Sequence, residues 1–401
     1  MYEDKGWYPG WEETKELLSL LVKTDTCQPS GNEEQLVRVI LGRLKGRAQY
    51  EVIPHDKYRS SLIIQIPGEC AKGGLVFAGH LDTVSCKGNG KWKYPPHSAH
   101  IQGKKLYGRG AADMKGGITA MLLAAEHLLD QQVRFTNPIY FCFTADEENE
   151  GIGALALSGH PWLQTAQELV ICEPTDMGIG CCEKGALWLE LTVKGVSAHA
   201  SSPKKGANAL EYAMELVQKI KNIVEECAAP HPYLGRSTAA VTGMHGGISM
   251  NVVPDMAKAV LDIRTVPGSD SNEELFQKVK QTAEELQVKN RGVEIELNVR
   301  NDRPGLQNPR DCDIAKRMSY ILKRNQKSSK CKGIPYYTDA SQLVPALLIP
   351  FLILGPGREE QMHCIDEYVE IDQIREAARI YSEYAVEYWE ERGEAECHSV
   401  I

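Results

Sequence analysis

Apolar residues recur along this chain in two rhythms, and the switches between them set an element order. Leucines at helical spacing over residues 11–24 predict a first helix. Ser30-Gly31-Asn32-Glu33 has the capping-box form ahead of a second, built on Leu36, Val37, Val39, Ile40 and Leu41. Short apolar runs predict strands at 50–53, 61–66, 75–78, 139–143 and 168–172, with a helix over 118–125. After about Gly180 the pattern changes. Strand 187–193, helix 207–228, strands 238–242 and 257–264, helix 271–286 and strand 293–299 spell β-α-β-β-α-β, a ferredoxin-like two-layer unit. From Asn301 the first pattern resumes: a helix from Asp311, a strand near 351–354 and a last helix over 372–391. The expected fold is therefore α/β. Residues 1–180 and 300–401 form one discontinuous domain, with a mixed, largely parallel sheet between helices, and an α+β ferredoxin-like domain is inserted at 181–299.

Composition narrows the function classes. The chain has 401 residues, 42% of them hydrophobic, which suffices for two cores. A net charge of −9 gives no nucleic-acid footprint. No apolar run approaches membrane-span length, and the N-terminus lacks a basic stretch followed by an apolar one, so a cytoplasmic protein is expected. The twelve cysteines lack paired zinc-ribbon spacing and read as reduced, small hydrophobic residues; Cys181-Cys182 is the only close pair. Residues 87–102 form a polar and aromatic loop, long for a simple connection, which hints at function.

The chemistry gathers where strands end. His80 and Asp82 follow the run 75–78, spaced so that one imidazole nitrogen can hold a metal while the carboxylate fixes the other. Asp113 stands among small residues at a helix entrance, where a bland role would be the helix N-cap. Four acidic residues, Asp146, Glu147, Glu148 and Glu150, follow strand 139–143 directly; such crowding is costly unless cations neutralise it. Glu173 ends strand 168–172, and His363 lies beyond strand 351–354. Two imidazoles with three or four carboxylates and no thiolate suit a pair of divalent transition ions, zinc by default, with cobalt or manganese as substitutes.

These residues sit in segments that resemble the core motifs of the M20 metallopeptidase family. They are Gly79-His80-Leu81-Asp82-Thr83-Val84, Gly108-Arg109-Gly110 through Asp113-Met114-Lys115-Gly116-Gly117, Ala145-Asp146-Glu147-Glu148, Glu173-Pro174 and Gln361-Met362-His363. The similarity runs nearly end to end and is greatest with the acetylornithine deacetylase / succinyl-diaminopimelate desuccinylase branch. It implies two zinc ions per subunit: His80 and Glu173 on one, Glu148 and His363 on the other, Asp113 bridging both. Asp82 would orient His80, and Glu147 would act as general base on the bridging water. A cis peptide between Asp113 and Met114 is implied too. The inserted unit would be a lid and homodimerisation domain, with His199 of Ser197-Ala198-His199-Ala200-Ser201 reaching the partner's site. Asn251, Arg264, Asp339 and Gly355 would meet the substrate. Other roles stay open for three of these: Arg264 could pair with Asp262 or Asp255, Asn251 could cap its turn, and Asp339 could cap a turn or attract a basic group. The implied reaction is deacylation of a small N-acyl amino acid by a dinuclear metal hydrolase. Its alternatives are a metallo-exopeptidase or dipeptidase taking short peptides, and a metal- or ligand-binding protein without catalysis.

Overall fold

The computed structural model describes residues 6–397 apart from 45, 71, 88–89, 132–134, 228, 269 and 310–311, with side chains as far as Tyr388. The expected helix start at Asp311 and helix end at Ala228 lie outside the described residues; those helices run Asp313–Arg324 and Ala209–Glu226. The chain divides into two compact units. One holds Met1–Cys181, Asn308–Lys332 and Thr338–Ile401; the other holds Cys182–Gln307 and Gly333–Tyr337. Among the described residues no helix is long and apolar enough to cross a membrane.

The larger unit is built on a mixed sheet in the order Gln49–Pro54, Ser60–Ile66, Ile139–Thr144, Gly74–His80, Ala166–Ile171, Phe351–Ile353. The first two strands pair antiparallel, and the second is antiparallel to Ile139–Thr144. From there to Phe351–Ile353 every pairing is parallel. Residues of Ile139–Thr144 and Gly74–His80 are buried throughout, as strands covered on both faces must be, which is why they read as unbroken apolar runs. Four parallel strands therefore deliver their carboxyl ends to one edge, at Thr144, His80, Ile171 and Ile353. Helices Trp11–Lys23, Gly116–Asp130 and Ile371–Cys397 supply much of the core, including Leu17, Met121, Ile374 and Tyr381. Two glycines allow the turn at Asp113 to seat against the sheet. A Cβ at Gly79 would run into Met114 Cε, and one at Gly117 into the carbonyl of Cys172.

The capping box expected at Ser30 is not formed. Ser30 Oγ donates to the Cys27 carbonyl at 3.2 Å, and Glu33 turns inward, fully buried, with its carboxylate 3.8 Å from Arg59. Burial, helped by the charge of Asp82, pushes the Glu33 carboxyl up to about 7. The folded state thus prefers the proton, so a penalty for charging Glu33 grows as pH rises from the ordinary carboxyl range through 7. Glu33→Gln is expected to leave stability near pH 5 little changed and to raise it at pH 8, by up to about 3 kcal/mol. Urea unfolding at the two pH values checks this; equal effects at both would refute it.

The smaller unit is a four-stranded antiparallel sheet in the order Thr238–Gly246, Met256–Arg264, Ala186–Lys194, Glu294–Arg303. Alternate residues of Met256–Arg264 face a core shared with helices Ala209–Glu226 and Asn272–Lys289. Here a capping box does form, between Ser271 and Glu274. The adjacent cysteines are explained by strand alternation: Cys181 packs on the core of the larger unit, and Cys182 groups with Leu234 and Val266.

Candidate metal centre

His80 is the last residue of its strand, and its ring is buried. Nδ1 lies 3.0 Å from the Asp82 carbonyl, an acceptor only, so Nδ1 carries a proton and Nε2 is the nitrogen turned toward the carboxylates. Nε2 is 3.0 Å from Asp113 Oδ1 and 3.3 Å from Glu173 Oε1. The second oxygen of Asp113, Oδ2, is 3.1 Å from His363 Nε2. His363 Nε2 is in turn 3.1 Å from both oxygens of Glu148. One carboxylate thus faces an imidazole with each oxygen, and each imidazole meets one further carboxylate. The Asp113–Met114 peptide is cis, in the turn Ala111–Lys115 that leads into helix Gly116–Asp130.

The electrostatics are those of anions crowded out of water. Burial, with the charge of Asp113 adding and that of His80 opposing, pushes Glu173 up to about 7. Burial and the Asp113 charge raise Glu148, and burial above all raises Glu147 well beyond the carboxylate range. Burial works against the His363 imidazolium, yet hydrogen bonds to Asp113 and Glu148 lift it to about 11. His80 rises likewise, its burial outweighed by Glu173 and Asp113. For Asp113 burial is outweighed by hydrogen bonds from His363 and His80, and its carboxyl is lowered. Glu173 Oε2 is a buried oxygen with no hydrogen-bond partner among the described residues. Two hard-to-neutralise imidazole–carboxylate groups joined through one aspartate, with a spare buried oxygen beside them, fit a pair of divalent cations.

The Asp82 carboxylate has a different task from the one its spacing suggests. Its nearer oxygen is 3.7 Å from His80 Nδ1, beyond hydrogen-bond reach. The chain turns directly after the strand, so the Asp82 carbonyl meets the ring and the side chain swings to the next strand end. There it accepts from the backbone N–H of Glu147 at 3.0 Å and of Glu148 at 3.1 Å, and from Gln28 Nε2 at 2.8 Å. The acidic run is divided accordingly. Asp146 is bound by Arg59 and, at 3.1 Å, by Gln28; Glu147 is buried; Glu148 meets His363; Glu150 is exposed.

Three supporting residues escaped the sequence reading. Glu367 is buried and accepts from Arg109 Nη1 at 2.6 Å and from the backbone N–H groups of Gly110, Ala112 and Asp113 at 3.1, 2.8 and 3.0 Å. It fastens the turn that aims Asp113. Gln28 and Arg59 join each other at 2.7 Å and brace Asp82 and Asp146. The arginine inside Gly108-Arg109-Gly110 was the available signal, since a buried guanidinium demands a carboxylate somewhere.

The candidate substrate residues divide between the units. In the larger, Asp339 is buried and accepts from the Thr144 hydroxyl; it precedes helix Ala340–Leu347 without capping it through its side chain. Gly355 N–H donates to Thr175 Oγ1 at 3.1 Å, and a Cβ there would collide with the carbonyls of Cys172 and Glu173. In the smaller, His199 and Asn251 are neighbours, with Ala200 N–H donating to the Asn251 carbonyl at 2.9 Å. Ser249 Oγ donates to Asn251 Oδ1 at 2.9 Å. The Ser201 backbone N–H donates to His199 Nδ1 at 3.1 Å, which makes Nε2–H the free donor. Arg264 forms a two-pronged pair with Asp262 at 2.8 and 3.0 Å and lies over the Tyr337 ring.

Comparison with known proteins finds relatives along most of the chain. Residues 76–387 match the family model of Peptidase family M20/M25/M40. A Staphylococcus aureus protein named probable succinyl-diaminopimelate desuccinylase is 28% identical over 94% of this chain and 98% of its own length. The acetylornithine deacetylase of Pasteurella multocida is 30% identical over 81% of this chain and 84% of its own. The crystal structure of a tripeptidase from Staphylococcus aureus superposes with a TM-score of 0.76 at 20% identity, covering 95% of this chain and all of that one.

Proposed function

Since this chain belongs to Peptidase family M20/M25/M40, we propose that it is a dinuclear metallohydrolase that removes the acyl group from a small N-acyl amino acid. That it hydrolyses amide or peptide C–N bonds follows from the family; the substrate class is the proposal. The observation that carries it is Asp113, with one oxygen toward His80 and Glu173 and the other toward His363 and Glu148. Zinc suits this donor set, with cobalt or manganese as substitutes. When bound, the two cations supply Lewis acidity, which lowers the pKa of the attacking water and polarises the amide carbonyl. Glu147 takes the water's proton and delivers it to the leaving nitrogen, and its backbone is held for this by the Asp82 carboxylate. His199 donates Nε2–H to the developing oxyanion, from the partner chain of a homodimer. Support for that assembly lies in the smaller unit, whose edge strand Thr238–Gly246 is largely exposed and is followed by Ile248 and Met250 at 94% and 104% exposure.

Arg264 and Asn251 are proposed to bind the carboxylate of the leaving amino acid. The curated relatives named above as deacylases support this substrate class. The buried Asp339 favours a second reading, in which the substrate is a short peptide whose free ammonium group it meets, as in a dipeptide. A panel of N-acetyl and N-succinyl amino acids, dipeptides and their C-terminal amides, assayed with zinc-loaded enzyme, separates the two. Wild type is expected to cleave the acyl amino acid at least about 10²-fold faster than its amide, and Arg264→Ala to lose most of that preference. Equal cleavage of acid and amide by wild type would discard carboxylate recognition, and cleavage of dipeptides alone would install the second reading.

A further inference from the structure

The stretch expected as a loop over 87–102 hinted at function by its length, and the proposed dinuclear centre does not use it; its last residues, His100–Gln102, form a short strand. His97 turns its ring toward two cysteines, Cys86 just before this stretch and Cys27 far away in sequence. Nε2 is 3.8 Å from Cys27 Sγ and 3.5 Å from Cys86 Sγ, and the two sulfurs are 3.0 Å apart. Asp25 Oδ1 is 3.5 Å from the same Nε2. Two thiols and an imidazole, from three separate segments, lie within 4.8 Å of one another, and a carboxylate flanks the ring.

We propose that Cys27, Cys86 and His97 form a structural site for one soft divalent transition cation, zinc foremost, with Asp25 turning in from the His97 ring as fourth donor. The donor set is chemically unlike the all-N/O set around Asp113, and thiolate with imidazole selects zinc over magnesium or calcium. Tetrahedral arms of about 2.0–2.3 Å give donor–donor edges of about 3.3–3.8 Å. The three edges to Nε2 already fall there; the sulfurs have to part by less than about 1 Å, and the Asp25 carboxylate, outside the 4.8 Å group that the two sulfurs form with the ring, has to turn in from the ring toward them. The supporting contacts are those that ligands require. His97 Nδ1 is 3.4 Å from the Val22 carbonyl, which places the proton on Nδ1 and leaves the Nε2 lone pair for the cation. The Cys27 backbone N–H donates to Asp25 Oδ1 at 2.9 Å, and the Thr83 hydroxyl donates to Cys27 Sγ at 3.5 Å. Two thiolates, a carboxylate and a divalent cation leave one negative charge. The buried Lys115, whose ammonium donates to the Thr24 carbonyl at 2.7 Å, stands by to balance it.

Such a cation would staple together the exit of the first helix, the segment after His80 and the long loop. Gln28, next to Cys27, is the residue that reaches Asp82 and Asp146. The staple therefore holds one support of the candidate centre without contributing a ligand to it.

The test uses the full chain, reduced, loaded anaerobically with Co2+ as the probe and then with Zn2+. A thiolate-to-cobalt charge-transfer band in the near ultraviolet is expected, which carboxylate and imidazole ligands do not produce. Cys86→Ser, at a half-exposed loop position, should abolish the band and lower bound zinc from about three to about two cations per chain. His97→Gln keeps both thiols and should weaken cobalt binding at this site at least about tenfold. Cys364→Ser, at an exposed cysteine beside His363, should leave the band intact. A band absent from wild type, or unchanged in Cys86→Ser, would overturn the proposal, as would a Cys27–Cys86 disulfide found by mass spectrometry in chain purified under reducing conditions. Failure of the dinuclear reading would look different: a sulfur-dependent band with about one cation per chain.

Discussion

Glu147→Gln is expected to lower turnover about 10²–10⁴-fold while leaving the bound cations in place, whereas Glu148→Gln should release one of them. The two residues are adjacent and both carboxyls are raised by burial, yet their surroundings differ. Glu148 lies 3.1 Å from His363, which also faces Asp113, so its oxygens belong to a ligand set. Glu147 is buried with its backbone pinned by Asp82, and its high proton affinity suits a group that must take a proton and return it. An amide in its place keeps the shape and removes the basicity. Metal analysis and single-turnover rates on both variants, loaded with zinc under identical conditions, make the comparison. Equal metal loss in the two would show that the pair has been divided wrongly, and full activity in Glu147→Gln would remove it from proton transfer.

The edge on which these groups meet was legible because parallel strands are buried on both faces. Runs such as 75–78 and 139–143 have no polar interruption, so their ends, and the His80, Glu147 and Glu173 that follow, could be located from sequence alone. The order of the smaller unit was legible for the opposite reason, since Met256–Arg264 alternates cleanly between core and outside. Its edge strand was not. Thr238–Gly246 is exposed along most of its length and carries a bulge near Val241 and Gly243, so alternation predicted only its first half.

Around the candidate centre, the groups that face one another directly through Asp113 were found, and those that hold them were not. Glu367 fastens a backbone turn more than 250 residues earlier in the chain, and such a contact has no local spacing to betray it. Gln28 and Arg59 likewise act across the fold. The Ser30 to Glu33 pattern misled because burial beside Arg59 won over a local hydrogen bond. The thiol pair Cys27 and Cys86 looked like scattered core cysteines for the same reason: 59 residues separate them, and only the fold brings them together.

Mixing His199→Ala with Glu147→Gln, each inactive alone, is expected to restore activity to about one quarter of wild type. The figure follows from statistics. Random exchange makes about half of all dimers hybrid, and in each hybrid one site has both its own Glu147 and an intact His199 from the partner. If His199 served the site of its own chain, every site in the mixture would lack one group and no activity would return. The tautomer set by Ser201 makes His199 a donor at Nε2, and loss of a single oxyanion donor commonly costs about 3–4 kcal/mol, which makes the His199→Ala parent quiet enough for recovery to be seen. The partner is expected to approach along the exposed edge of the smaller sheet, so Val241→Asp, on strand Thr238–Gly246 and 41% exposed, should shift the enzyme to monomers and abolish the recovery. Sedimentation of the variants and proof of subunit exchange by a mass-tagged parent complete the test. Verified exchange without recovery, or a wild type that sediments as a monomer, would return His199 to the surface of its own chain and leave the oxyanion donor to be sought within the larger unit.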